Sequence, residues 1–161
     1  MRDLFDDKLE RAINILKAYQ PRDRPYYGCF SGGKDSIVIK EIGRLAGIDV
    51  AWHYNATTID PPELVRFIKR EHGDVIFNVP ERNFFEVAKD RGFPTRRARW
   101  CCQEFKESRS PSGSTLILGG EGGRVSPPAQ GVEGSHRPYQ NSTVCHIPHH
   151  RLERRRGLVV H

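Results

Sequence analysis

Long apolar runs are missing from this chain of 161 residues. Nothing in it approaches the roughly 20 consecutive apolar residues that a membrane helix needs. A secretory leader is equally hard to read. The opening Met1-Arg2-Asp3-Leu4 puts an acid where a leader is apolar, so a cytoplasmic protein is expected. Cysteines are few, and Cys29, Cys101, Cys102 and Cys145 do not make the disulfide framework of a small secreted domain. The phosphate loop of Walker type, GxxxxGK[ST], is absent as well. The remainder is a chain with 37% hydrophobic and 29% charged residues, suited to one globular domain with a real core. Its net charge of +6 suits a polyanion, either nucleic acid or a phosphorylated metabolite, or else is a plain basic surface.

Periodicity orders the first 118 residues. Leu9, Ala12, Ile13 and Leu16 recur at helical spacing between Leu4 and Tyr19, with Asp6 and Asp7 early, where a helix dipole favours acids. Tyr26 to Phe30 reads as a strand, and a helix follows from Ser36 to Ala46, stopped at Gly47. Ile48 to Tyr54 is a second strand. Pro61-Pro62-Glu63 starts the next helix, and Val75 to Val79 is a third strand. A short helix from Asn83 to Lys89, a basic loop from Pro94 to Arg99 and a strand from Thr115 to Leu118 complete the pattern. Alternating strands and helices predict an α/β fold: a parallel twisted sheet with helices on both faces, Rossmann-like. Ligands of such sheets sit at the carboxyl ends of the strands.

One segment at such an end carries the clearest chemistry, Ser31-Gly32-Gly33-Lys34-Asp35-Ser36. Two glycines let the backbone approach an anion, and the amides of the loop and of the following helix point at it. Lys34 adds positive charge, Ser31 and Ser36 add hydroxyls, and Asp35 is placed to hold Mg2+ or to orient the loop. The competing reading is a plain glycine turn.

These six residues resemble the pyrophosphate loop of the PP-loop (adenine nucleotide alpha hydrolase-like) proteins. That family includes sulfonucleotide reductases, a sulfurylase subunit and tRNA-thiolating enzymes. Thr57-Thr58-Ile59-Asp60 and Pro62-Glu63-Leu64 resemble its second nucleotide loop, with Asn55 where the family has aspartate. Pro94-Thr95-Arg96-Arg97, Arg99-Trp100-Cys101-Cys102 and Lys106 are similar to the substrate segment of phosphoadenosine phosphosulfate (PAPS) reductase-like proteins. The resemblance implies binding of ATP, PAPS or adenylyl sulfate by Ser31 to Ser36 with Thr58 and Asp60. It implies Lys34 and Asp35 as the catalytic pair and Mg2+ as cofactor. Arg96, Arg97, Arg99 and Lys106 would meet a phosphate or sulfate, which arginine suits by bidentate geometry. Cys101-Cys102 is similar to the first half of a 4Fe-4S ligand set, although the later Cys-x-x-Cys is missing; ordinary packed cysteines are the other reading. The implied partners are an adenine nucleotide, a thioredoxin-like thiol reductant or a nucleic acid, and a second copy of the chain. The implied reaction is sulfonucleotide reduction or cleavage of ATP between its α and β phosphates with adenylyl transfer. The alternatives are a nucleic-acid-modifying sulfur-transfer enzyme and a truncated nucleotide-binding remnant.

Residues 119–161 differ from the rest. They hold 7 of the 15 glycines and 5 of the 7 histidines, and no Lys, Asp, Phe or Trp. No strand period stands out before Leu158-Val159-Val160. Permitted codons for residues 148–154, advanced by one nucleotide, give Pro-Ile-Ile-Asp-Trp-Asn-Asp. Those for residues 124–136 give Glu-Ser-Ala-Arg-Pro-Arg-Lys-Gly-Trp-Lys-Glu-Val-Thr. Both stretches are similar to what the family carries after its fourth strand. The expected organisation is therefore a nucleotide-binding domain over residues 1–118 and an atypical tail over 119–161, disordered or produced by a frameshift near Gly119 to Gly123.

Overall fold

The structure, a computed structural model, describes residues 4–107, 109–119, 125–126 and 143–147. Its order is α1 (Leu4–Ala18), β1 (Tyr26–Cys29), α2 (Lys34–Ala46), β2 (Val50–Asn55), α3 (Pro62–Glu71), β3 (Ile76–Asn78) and α4 (Phe84–Arg91). Then follow α5 (Trp100–Cys102), which runs into a π-helical turn (Gln103–Glu107), β4 (Thr115–Gly119), β5 (Val125–Ser126) and β6 (Thr143–Ile147). The strands form one sheet in the order β3-β2-β1-β4-β6-β5. The pairs β3–β2, β2–β1, β1–β4 and β4–β6 are parallel, and β5 runs antiparallel to β6. The protein is thus α/β with a parallel sheet, as its alternating pattern predicts.

Alternation along the strands divides the sheet into two faces. Tyr26, Phe30, Trp52, Tyr54 and Ile117 face one way and pack with Ala12 and Leu16 of α1, Ile39, Ile42 and Ala46 of α2, and Ile68 of α3. Ile68, Leu16, Tyr26 and Ile117 are 0–1% exposed, so this is the main core. A Cβ on Gly28 would stand 2.3 Å from the Trp52 ring, so β1 lies against that indole only because residue 28 has no side chain. The Tyr26 hydroxyl donates to the Leu16 carbonyl (2.7 Å), capturing one of the carbonyls that the end of α1 leaves without a helical partner. The other face carries Tyr27, Cys29, Leu116 and Leu118.

Right-handed crossovers explain this division. The chain moves from β1 through α2 to β2 and through α3 to β3, which puts both helices on the same face. It then returns past β2 and β1 to reach β4, so α4, α5 and the π turn belong to the opposite face. Asn55 confirms that placement, since its Nδ2 donates to the Lys106 carbonyl in the π turn (2.9 Å). A small second cluster of Phe84, Val87, Ala88, Trp100 and Phe105 holds α4 to α5 and the π turn.

Element ends agree with the sequence to within two or three residues, and two regions differ. The stretch from Trp100 to Glu107, to which the sequence pattern assigns no element, is helical, because Trp100 and Phe105 bury themselves against Phe84. In the tail, where no strand period is legible, Thr143–Ile147 pairs along the whole of β4, with Thr115 opposite Thr143 and Gly119 opposite Ile147. Five residues are too few for alternation to show, and their pairing depends on the open edge of β4, more than twenty residues away in sequence. Leu158-Val159-Val160 lies outside the described residues.

Candidate functional site

Strand order reverses between β1 and β4, and open parallel sheets bind ligands at the carboxyl ends of the strands at such a point. The Ser31–Ser36 segment fills the turn from β1 into α2 at this point. Gly32 has φ +72°, a left-handed conformation that costs a side-chain-bearing residue about 1–2 kcal/mol. A Cβ there would also lie 2.7 Å from Leu64 Cδ1 and 2.9 Å from Ile68 Cδ1. The loop is therefore pressed onto α3, and glycine is required at position 32 by backbone and by packing.

Gly33 is the N-cap of α2 and has no side chain to cap the helix. The first amides of α2 thus have no capping side chain in front of them, where an anion would find donors and the helix dipole. Ser36 holds the turn from inside. It is buried, and its Oγ donates to the Gly33 carbonyl (2.7 Å) and meets Ser31 Oγ (3.3 Å). The Gly33 amide in turn points at Ser31 Oγ (3.4 Å). Lys34 is exposed and Asp35 half-buried on the first turn of the helix.

The second loop, Ala56 to Pro61, is closed by Asp60, whose carboxylate accepts from the Thr57 amide (2.7 Å). Thr58 has φ +65°, the single non-glycine residue with positive φ among the described residues. Strain of this kind persists where the surroundings enforce it, and it collects at binding sites. Here the enforcing contact is the Phe84 amide, which donates to Thr58 Oγ1 (2.8 Å) and ties the loop to the head of α4. The buried Tyr54 hydroxyl makes no hydrogen bond among the described residues. Burial and the neighbouring Asp60 carboxylate keep its phenol protonated far above the ordinary tyrosine range. The sequence-derived set Ser31 to Ser36 thus sits on the β1 turn, and Thr58 with Asp60 on the β2 turn, at the same end of adjacent strands.

A polar cluster that sequence reading overlooked lies on the α4 side of the same strand ends. Asn78 Nδ2 donates to Asn55 Oδ1 (2.7 Å) and Tyr27 Oη (3.0 Å), and Tyr27 Oη donates to Asn55 Oδ1 (3.3 Å). The His53 ring stacks on Tyr27, with centroids 4.1 Å apart and planes 5° from parallel. Burial raises the Tyr27 pKa and lowers that of His53, so both are neutral near pH 7. The available signal was polar residues at alternate positions, His53 and Asn55, in an otherwise apolar strand.

The expected substrate residues lie along the segment from the Thr95–Ala98 turn through α5 to the π turn. Lys106 is joined to the site through its main chain, by its carbonyl on Asn55. Arg96 and Arg97 stand exposed on a tight turn in which the Thr95 amide donates to the Ala98 carbonyl (3.1 Å). Arg99 Nη2 donates to Cys102 Sγ (3.3 Å). Cys101 is half-buried against the Phe84 cluster, and burial and the adjoining Cys102 push its pKa up. Burial pushes the Cys29 thiol up to about 12. Among the described residues, no three Cys, His, Asp or Glu side chains come together to hold a metal. The pair Cys101–Cys102 there lacks the two further ligands of a 4Fe-4S cluster.

No protein-family model matches the chain. It is similar to a protein of Methanocaldococcus jannaschii, "Uncharacterized protein MJ0066", with 33% identity over 112 residues. That match takes in 64% of this chain, and the chain spans 22% of the length of MJ0066.

Proposed function

We propose that the chain binds an adenine nucleotide, ATP or a sulfonucleotide such as PAPS or adenylyl sulfate, with its phosphates on the Ser31–Ser36 loop. The observation that supports this reading is the β1–α2 turn itself. Its Gly32 is held in a left-handed conformation against α3, and its Gly33 leaves the head of α2 without a capping side chain. Both features let backbone amides face an anion closely.

Of the two reactions in keeping with the loop, we favour attack on the α-phosphorus of ATP. An acceptor oxygen bonds to phosphorus, the bond from that phosphorus to the bridging α–β oxygen breaks, and pyrophosphate leaves with the electron pair. Lys34 and the loop amides would stabilise the charge that develops on the phosphates. Asp35 is the residue to hold Mg2+, which takes one or two carboxylates beside phosphate oxygens and supplies neutralising charge. Reductase chemistry instead needs a thiolate nucleophile. Burial keeps Cys29 protonated and raises Cys101, which weighs against that route.

A thermal-shift panel of ATP, PAPS and adenylyl sulfate with Mg2+ tests the reading. Stabilisation of about 2.7 kcal/mol is expected at a hundred times the dissociation constant. Lys34→Ala should abolish most of it. An unchanged shift in that variant would remove the loop from the binding site.

A further inference from the structure

Most large apolar side chains here are at least half-buried, yet Phe93 is 74% exposed, more than any other large hydrophobic residue of those described. Nothing about its surroundings is loose. Gly92 ends α4 in a backbone conformation with φ +73°, closed to most side-chain-bearing residues. The Gly92 carbonyl accepts from the buried indole of Trp100, Nε1 to O 3.1 Å. Three residues after Gly92 the chain closes the turn from Thr95 to Ala98, locked on both sides: the Thr95 amide on the Ala98 carbonyl, and the Ala98 amide on Thr95 Oγ1 (3.0 Å). The result is a fixed hook, Gly92 to Arg99, anchored in the Phe84–Trp100–Phe105 cluster and carrying an outward phenyl ring.

Two charges on the hook are equally uncompensated. Arg96 and Arg97 are exposed and form no ion pair among the described residues. The nearby acids are already engaged: Asp90 with Arg82, Glu104 with Arg91, and Glu86 in the capping box of α4. Lys89 adds a further cation on the last turn of that helix. An exposed apolar ring on the same short hook as two guanidinium groups without ion pairs among the described residues suits an unstacked base with its flanking phosphates.

We infer that the hook from Gly92 to Arg99 is a docking surface for single-stranded nucleic acid. Phe93 stacks on one base, and Arg96 and Arg97 contact the phosphates on either side of it. The chain's net charge of +6 favours the encounter. This surface is independent of the nucleotide reading of the Ser31–Ser36 loop.

The test is fluorescence anisotropy with labelled rU12, dT12 and a 12-base-pair duplex, on the whole chain, over about 50–200 mM salt. Single strands should bind more tightly than duplex, and whichever of rU12 and dT12 binds better assigns the sugar. Phe93→Ala should weaken strand binding about 5- to 150-fold, the loss of one stacked base, and Phe93→Trp should restore it. Arg96→Ala with Arg97→Ala should reduce the slope of log K against log salt by about 1.4, two contacts at roughly 0.7 each. Folding is not at issue, because these side chains are exposed; far-ultraviolet circular dichroism checks it. Failure of both strands to bind at low salt, equal binding of duplex, or an unaltered Phe93→Ala would overturn the inference. Strand binding should survive Lys34→Ala, and the ATP-induced thermal shift should survive Phe93→Ala, so the two readings fail separately.

Discussion

Gly32→Ala concentrates most of the reasoning about the candidate site in one methyl group. Two costs add. The left-handed backbone at φ +72° costs an alanine about 1–2 kcal/mol. The new Cβ would sit 2.7 Å from Leu64 Cδ1 and 2.9 Å from Ile68 Cδ1, and Ile68 is fully buried and cannot withdraw freely. Overpacking of this sort costs about 1–3 kcal/mol. The sum is about 2–5 kcal/mol, most of the stability of a domain near the low end of the usual range. Urea unfolding followed by tryptophan fluorescence reads it: with a slope of about 2 kcal/mol per molar, the midpoint should fall by about 1–2.5 M. Gly33→Ala is the control. That residue has φ −81°, and its Cβ would meet only Ser31 Oγ at 3.5 Å, an ordinary contact. It should leave the midpoint within about 0.5 M while weakening nucleotide binding, because its methyl group occupies the mouth of the loop. A Gly32→Ala protein within about 0.5 kcal/mol of the parent would refute the packed left-handed turn.

Three further outcomes are expected. Asn83→Ala removes one arm of a reciprocal cap, Asn83 Oδ1 accepting from the Glu86 amide, while the backbone amide at position 83 can still donate to Glu86 Oε2, and should cost about 1 kcal/mol in the same unfolding assay. Stability should fall on acidification below the ordinary histidine value of 6.5, because burial lowers the folded-state pKa of both His53 and His72. The unfolded chain takes up protons first, so the loss runs from about pH 6.5 down to the folded values and then levels off. His72→Gln should flatten part of that slope; an unchanged slope would mean that His72 plays no part in it. Finally, sequencing the gene should show that the codons for residues 124–136 and 148–154 encode the two family-like stretches one nucleotide on. Codons that cannot do so dispose of the frameshift.

What the sequence itself determined was local. Apolar spacing in α1 and α2, glycine and proline punctuation and the six-residue loop all act through neighbours within a turn or two. They fixed the order of elements and placed Ser31 to Ser36 at a strand end. Tertiary structure alone decided what depends on distant partners. It paired Thr143–Ile147 with β4, since an isolated strand has no register until an edge is offered. It made a helix of Trp100 to Glu107, because Phe84 buries those aromatic rings. It collected Tyr27, His53, Asn55 and Asn78, drawn from three strands, into one hydrogen-bonded group. It also set Arg96 and Arg97 on an exposed turn and tied the Lys106 main chain to Asn55. Charge and spacing cannot make that distinction, because a side chain's identity travels with the sequence while its direction is set by what the backbone packs against.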